Sequence, residues 1–430
     1  MPALDTRTPT SDFLPKICLI LLFLLTSSST ISMAQEGGSW TSGAALNISR
    51  QESPLIYLDG KIYQTGGIGT SRNAIKSVEV YDVVTDSWSN AAELPVTLHH
   101  HSGAAIGTKL YTIGGYSATQ FIESTLLYEY SPANNTWTQL SAVPRQIGAQ
   151  ASVVLNGEIY VFGGTYFNAA FTHSYKYNPT TDTWTELQPL PLPSEHLAAA
   201  VVDGKIYVSG GRRIVNFRLT NRADLQVYSP DTDSWELKSP MGAARAGHAS
   251  ASVNSRLYVF GGESFEEGPE VIESVEEYDP VTDSWRYLDE MPQPRHGIGA
   301  VVVNSQVFIS AGGDVAGFST SGNTAIFSPP ALSTFSEFET EFPTEVDLIS
   351  VYPNPTSRIS NVRIELNQSS RISMQIVDVL GRKVSSGPDR IYRAGVHEIK
   401  LDLGSLNNGV FFVALRINDS NLIREIQVLR

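Results

Sequence analysis

Val275-Glu276-Glu277-Tyr278-Asp279-Pro280-Val281-Thr282-Asp283-Ser284-Trp285 is the stretch on which the rest of this chain is patterned. A short strand runs into a tyrosine, Asp279 to Ser284 has turn chemistry, and a second strand starts at the tryptophan seven residues on. The same step recurs at Tyr81–Trp88, Tyr130–Trp137, Tyr177–Trp184 and Tyr228–Trp235, and a sixth tryptophan stands alone at Trp40. Successive tryptophans lie 48, 49, 47, 51 and 50 residues apart. Six Gly-Gly pairs keep the same beat: Gly66-Gly67, Gly114-Gly115, Gly163-Gly164, Gly210-Gly211, Gly261-Gly262 and Gly312-Gly313. A period of this length marks a repeat architecture.

Outward from the tyrosine, each repeat reads as four strands. The first is small and apolar, as in Ala198-Ala199-Ala200-Val201-Val202. Asp59-Gly60, Asn156-Gly157 or Asp203-Gly204 then close a type I′ hairpin. The second strand is of the type Lys205-Ile206-Tyr207-Val208-Ser209 and ends at the glycine pair. A four-stranded sheet cannot bury both faces alone, but sheets stacked around an axis bury the tyrosines and tryptophans between neighbours. The first strand then lies nearest the axis, where only small side chains fit. The last repeat has a third strand at Ala325-Ile326-Phe327-Ser328 but no tryptophan after it, while Trp40 has no repeat before it. The strand around Trp40 is therefore expected to complete the sixth sheet and close the ring.

Gly-Gly, then Tyr, then Trp, at about 50 residues, resembles the kelch repeat. The resemblance implies an all-β, six-bladed kelch β-propeller closed by an N-terminal strand, over residues 35–330. Residues 331–347 are acidic, carry Phe335, Phe338 and Phe342, and read as a linker. From 348 to 430 alternating segments such as Val362-Arg363-Ile364-Glu365-Leu366 and Ile372-Ser373-Met374-Gln375-Ile376-Val377 point to a small Ig-like β-sandwich. Tyr352-Pro353-Asn354-Pro355, Asp378-Val379-Leu380-Gly381-Arg382, Leu401-Asp402-Leu403 and Asn408-Gly409-Val410-Phe411-Phe412-Val413 resemble the type A sorting domain of the type IX secretion system. That resemblance implies recognition by the secretion machinery and passage through the periplasm to the outer surface of a Gram-negative bacterium, with the protein released or attached there.

The opposite end agrees. Arg7 and Lys16 precede the apolar run Ile17–Leu25, too short to span a bilayer, and Ser32-Met33-Ala34 is a small-residue cleavage site. Residues 1–34 thus read as a secretory signal peptide, and no transmembrane segment is expected after its removal. Cys18 is the only cysteine, so an intrachain disulfide, a cysteine-ligated zinc and an iron–sulfur cluster are excluded. Thirty Lys+Arg against 44 Asp+Glu give a net charge of −14, which argues against nucleic-acid binding.

Candidate site residues emerge when the repeats are aligned on Tyr63, Tyr111, Tyr160, Tyr207, Tyr258 and Phe308. Thirteen residues earlier stand Arg50, Leu98, Ile147, Ser194, Arg245 and Arg295; twelve earlier, Gln51, His99, Gly148, Glu195, Ala246 and His296. Eleven earlier come Glu52, His100, Ala149, His196, Gly247 and Gly297; ten earlier, Ser53, His101, Gln150, Leu197, His248 and Ile298. These columns mark the entry to the innermost strand, at one mouth of the channel. The expected ligand site is Arg50, Glu52, His99, His101, Gln150, Glu195, His196, Arg245, His248, Arg295 and His296. Its three arginines come from adjacent blades, and guanidinium forks suit carboxylate or phosphate. The loop after the fourth glycine pair adds Arg212, Arg213, Arg218 and Arg222; the next is acidic, with Glu263, Glu266, Glu267 and Glu270. His99-His100-His101 is not expected to hold a metal, because strand neighbours point to opposite faces. No cofactor and no catalytic residue is assigned. The favoured reading is an exported module that binds an extracellular protein or glycan. The alternative is an acidic-sugar enzyme resembling the sialic-acid mutarotases and epimerases found among bacterial kelch propellers.

Overall fold

The computed structural model describes residues 37–117, 122–167, 169–216, 218–330, 346–378, 383–404, 406–418 and 420–429. The signal peptide, most of the linker and residues 379–382 of one sorting motif lie outside them. Every regular element among the described residues is a β-strand.

Each repeat builds one antiparallel four-stranded blade. In blade four the strands are Ala198–Val202, Lys205–Ser209, Leu225–Ser229 and Ser234–Lys238, with Ala200 opposite Tyr207, Tyr207 opposite Val227, and Tyr228 opposite Trp235. The hairpin residues Asp203 and Gly204 both have positive φ, as a type I′ turn requires. Ring closure is as expected: Ser39–Gly43 pairs antiparallel with Thr324–Ser328, Trp40 opposite Phe327. The Trp40 ring lies 4.8 Å from Phe327 and 6.0 Å from Phe260 of blade five.

The seven-residue Tyr–Trp step has a single cause. In blade one the Tyr81 hydroxyl donates to the Asp86 carboxylate, which also accepts the backbone N–H of Ala44; Trp88 Nε1 donates to the carbonyl of the same Ala44. Both polar groups of one residue at the preceding blade's exit are thereby captured. The clamp repeats with Asn135 on Ala92, Asp182 on Ser141, Asp233 on Gln188 and Asp283 on Ser239. At the closure, Trp40 Nε1 donates to the carbonyl of Asp289, whose own N–H goes to Gly37.

The glycine pairs have a different task. The second glycine donates its N–H to a carbonyl of the next blade, as Gly67 to Leu98 and Gly262 to Arg295. A Cβ on Gly66 would stand 2.5 Å from that Leu98 oxygen. Blade six corrects the sequence register: Ala311 and Gly312 fill these two positions, with positive φ and the Gly312 N–H donated to Arg50, while Gly313 lies one residue beyond.

The residues eleven before the aromatic close a ring about the axis. Glu52 N–H donates to Gly297, His100 to Glu52, Ala149 to His100, His196 to Ala149, Gly247 to His196 and Gly297 to Gly247, all at 2.7–2.9 Å. All six have φ between 51° and 62°. Beneath the ring, Gly103, Ala151, Ala198, Ala249 and Gly299 help to line a channel cavity of about 170 Å³.

Residues 346–428 form two further sheets. One holds Val346–Tyr352, Ile359–Leu366 and Gly395–Asp402; the other holds Ser370–Asp378, Lys383–Tyr392, Gly409–Ile417 and Ser420–Val428. Val362 and Ile364 of the first pack with Ile372, Val413 and Leu415 of the second. The strict alternation along Ile359–Leu366 is that of a strand with one buried face.

Trp40 tests the closure. Trp40→Ala should cost about 3–5 kcal/mol of stability in urea denaturation. A loss below about 1 kcal/mol would mean that the sixth blade does not depend on the strand that carries it.

Candidate functional site

The four columns point in four directions, and only two of them reach the mouth. Arg50, Arg245 and Arg295 do not. They are at most 1% exposed and lie inside their blades. Arg50 donates through Nη1 to the carbonyls of Gly66 and Ser77, through Nε to Ile48, and through Nη2 to Glu79. Arg245 repeats the clasp on Gly261, Ser274, Ala243 and Glu276. The reason is backbone satisfaction: these carbonyls sit where strands end and need donors. The expected convergence of three guanidinium groups at the mouth is therefore corrected to three separate structural clasps.

The third clasp is incomplete. Arg295 donates to Ala311, Asn323 and Gln293, but Nη2 has no hydrogen-bond partner, because Ala325 stands where blades one and five have Glu79 and Glu276. Burial without that carboxylate lowers the Arg295 guanidinium to about 10.

His101, Gln150 and His248 also turn away from the mouth. They bridge neighbouring blades: His101 Nε2 meets the Thr65 hydroxyl, Gln150 donates to Ser102 and Ile113, and His248 Nε2 meets the Ser209 hydroxyl. His99 is 2% exposed, packed against the rings of Tyr116 and His100.

Glu52, Glu195, His196 and His296 of the expected set do come together. Glu52, His100 and His196 belong to the axial ring; Glu195 and His296 stand in the column one residue earlier, each at an isolated β-bridge, to Arg212 and to Gly313. Arg212 ties the group: Nε donates to Glu195, Nη1 to Glu263 at 2.6 Å, and Nη2 reaches His196 Nε2 at 3.3 Å. The Glu195 carboxylate also holds His196 Nδ1. His296 Nδ1 lies 3.3 Å from Glu263 and 3.9 Å from Glu52. Glu52, His100, Glu195, His196, Arg212 and Glu263 floor a cavity of about 500 Å³ whose walls include Tyr116, Leu219, Phe265 and Phe318; His296 lies outside its lining.

Burial, with the Glu263 charge second, pushes the Glu52 carboxyl up to about 8. Burial also holds His100 and His196 well below the usual imidazole range, helped by His196 at the first and Arg212 at the second. Glu52, His100 and His196 each offer a donor atom within 4.8 Å of the others, so this trio could take a metal ion. Arg212, Glu263, His100 and Tyr116 were not in the expected set. The opposite charges of the fourth and fifth loops were the available signal, and Arg212–Glu263 is the ion pair they make.

Two outcomes follow. Ala325→Glu should complete the third clasp and raise stability by about 1.5–3 kcal/mol in urea denaturation; a destabilised variant would mean that the site cannot accept a carboxylate. His248, held down to about 3 by burial and then by Arg245, binds its proton in the unfolded chain from near pH 6.5 but in the folded chain only near 3. Stability should therefore fall as pH drops from about 6.5 towards 3, by up to about 1.4 kcal/mol per pH unit from this residue. His248→Gln, which copies Gln150 of blade three, should flatten that limb; an unchanged pH profile would refute the assignment.

Comparison with known proteins agrees with this architecture. A family model described as Attractin/LZTR1 beta-propeller matches residues 25–264 and 110–333. A second, described as Secretion system C-terminal sorting domain, matches residues 350–428. Kelch-like protein 26 of Danio rerio is 32% identical over 223 residues, 52% of this chain and 29% of that protein. Kelch-like protein 25 of Rattus norvegicus is 30% identical over 129 residues, 28% of this chain and 22% of that protein. The chain thus spans less than a third of the length of these curated relatives. The solved structure of YjhT superposes with a TM-score of 0.58 at 17% identity, covering 66% of this chain and 96% of that one, a likeness of fold alone. Among the described residues no helix is long and apolar enough to cross a membrane. The chain belongs to the kelch-type β-propeller family and carries a type IX sorting domain, which makes it an exported protein, secreted or held at the cell surface.

Proposed function

We propose that the loop face of the propeller is a recognition surface, and that the protein is an exported binding module for an extracellular protein or glycan. In this reading residues 35–330 recognise the ligand, 331–347 are the joint, and 348–430 serve export. The observation that carries it is a set of exposed apolar side chains on that face. Ile122, Phe167, Ile214 and Val315 are 51%, 74%, 53% and 61% exposed, and they come from the loops of blades two, three, four and six. Apolar loop tips around a polar cavity are what a partner can bury, and binding residues concentrate on loops held by a rigid scaffold.

The acidic-sugar enzyme retains one favourable observation. Glu52 is a carboxyl held protonated near neutral pH beside a cavity, as a general acid needs to be. Its anion-binding half is weaker than expected, because Arg212 is already taken up by Glu195 and Glu263.

The test is a glycan array, acidic sugars included, together with an array of purified bacterial surface proteins. Wild type is compared with a variant carrying Ile122→Ser, Phe167→Ser, Ile214→Ser and Val315→Ser. The variant should lose tenfold or more in affinity for the ligand that wild type selects, with an unchanged melting temperature. Equal binding by both would remove the loop face from recognition. Turnover of an acidic sugar, abolished by Glu52→Gln, would favour the enzyme.

A further inference from the structure

Glu52, His100 and His196 come from blades one, two and four, yet they hold equivalent steps of the hydrogen-bonded ring and so enter the axis at one level. The other three steps are Ala149, Gly247 and Gly297, whose small size leaves the space between them open. The imidazole rings of His100 and His196 stand 4.8 Å apart at 81°, and His100 Nε2 lies 3.5 Å from the Glu52 carboxylate. His196 Nδ1 is held by Glu195, a partnership that orients a ligating imidazole and presents Nε2 as the donor. Around the trio, the Arg212 guanidinium holds Glu195 and Glu263, and the Glu52 carboxylate lies 3.9 Å from His296 Nδ1.

We propose that Glu52, His100 and His196 bind one divalent transition-metal ion on the propeller axis. Two imidazoles and a carboxylate suit Zn²⁺ and its neighbours, whereas Ca²⁺ and Mg²⁺ need oxygen ligands that this site lacks. The donor atoms lie within 4.8 Å of one another. Two metal–ligand bonds of about 2.0–2.2 Å span at most about 4.4 Å, so side-chain rotations of about 1 Å close the site. Arg212 is the competitor: it gives up its 3.3 Å contact to His196 Nε2 and keeps its two carboxylates. Three protein donors leave the ion open towards the mouth cavity, where a water or a ligand oxygen completes the coordination.

The His99-His100-His101 run supplies only one ligand, since its neighbours face Tyr116 and Thr65. The site does not depend on the apolar loop tips, so it stands or falls separately from the recognition surface.

The full chain, freed of metal by chelator and dialysis, is titrated with ZnCl₂ by calorimetry and with Co²⁺ by visible absorption. One ion per chain is expected, with Co²⁺ bands of a four- or five-coordinate site. Glu52→Gln and His196→Ala should each weaken Zn²⁺ by tenfold or more, and His397→Ala, in the C-terminal module, should not. The absence of stoichiometric binding, or unchanged affinity in both site variants, overturns the proposal. If a site variant fails to fold, the wild-type spectrum decides: weak six-coordinate bands like those of the free ion overturn it, and intense bands support it.

Discussion

Six peptide hydrogen bonds, each donated by one blade's axial residue to the blade before it, fix the height and pitch of every other element. Each donor must adopt a left-handed backbone, which costs a residue with a Cβ roughly 1–2 kcal/mol. Gly247 and Gly297 adopt it freely; Glu52, His100, Ala149 and His196 do not, and all six hold it at φ 51–62°. The strain persists because the surrounding sheets determine it at every step. Once the ring is set, the inner strands must carry small side chains and the glycine turns must fall against the next blade. The aromatic clamps then lock the outer edges, and the side chains at the ring positions have only the axis to enter.

The fold was legible because each of these demands repeats. A residue type required six times by one geometry becomes a column, and the Tyr–Trp step, the glycine pairs and the I′ turns are such columns. Trp40 was informative for the same reason, as the one tryptophan without a repeat of its own. The blade-six glycines misled in a small way. Gly312-Gly313 looks like the other pairs, but Ala311 occupies the left-handed position there: counted from Phe308 the pair comes one residue later than the others do from their aromatics.

The site was half legible. Column alignment found the entry to the inner strand but not the direction of each side chain. Adjacent residues there face four places: the inside of the blade, the mouth, the axis and the seam between blades. Arginine looked like a ligand group because guanidinium suits anions, yet the same fork suits a cluster of strand-end carbonyls. For Arg50 and Arg245 the second use is marked by a carboxylate 29 or 31 residues downstream, Glu79 or Glu276, a pairing visible only once the third strand is placed; Arg295 clasps the equivalent carbonyls without one. Arg212 and Glu263 were noticed as loop charges, but their meeting, 51 residues apart, depends on how adjacent blades are turned.

The closing strand also sets an order of events. Trp40 and Phe327 pair across 287 residues of chain, whereas the Tyr–Trp pairs of the other blades span seven. Closing the longer loop costs about 3 kcal/mol more chain entropy, so the sixth blade assembles late. Until Ser39–Gly43 pairs with Thr324–Ser328, blade six keeps an unpaired edge, so the step that joins these two distant stretches is also the step that removes the ring's last open edge.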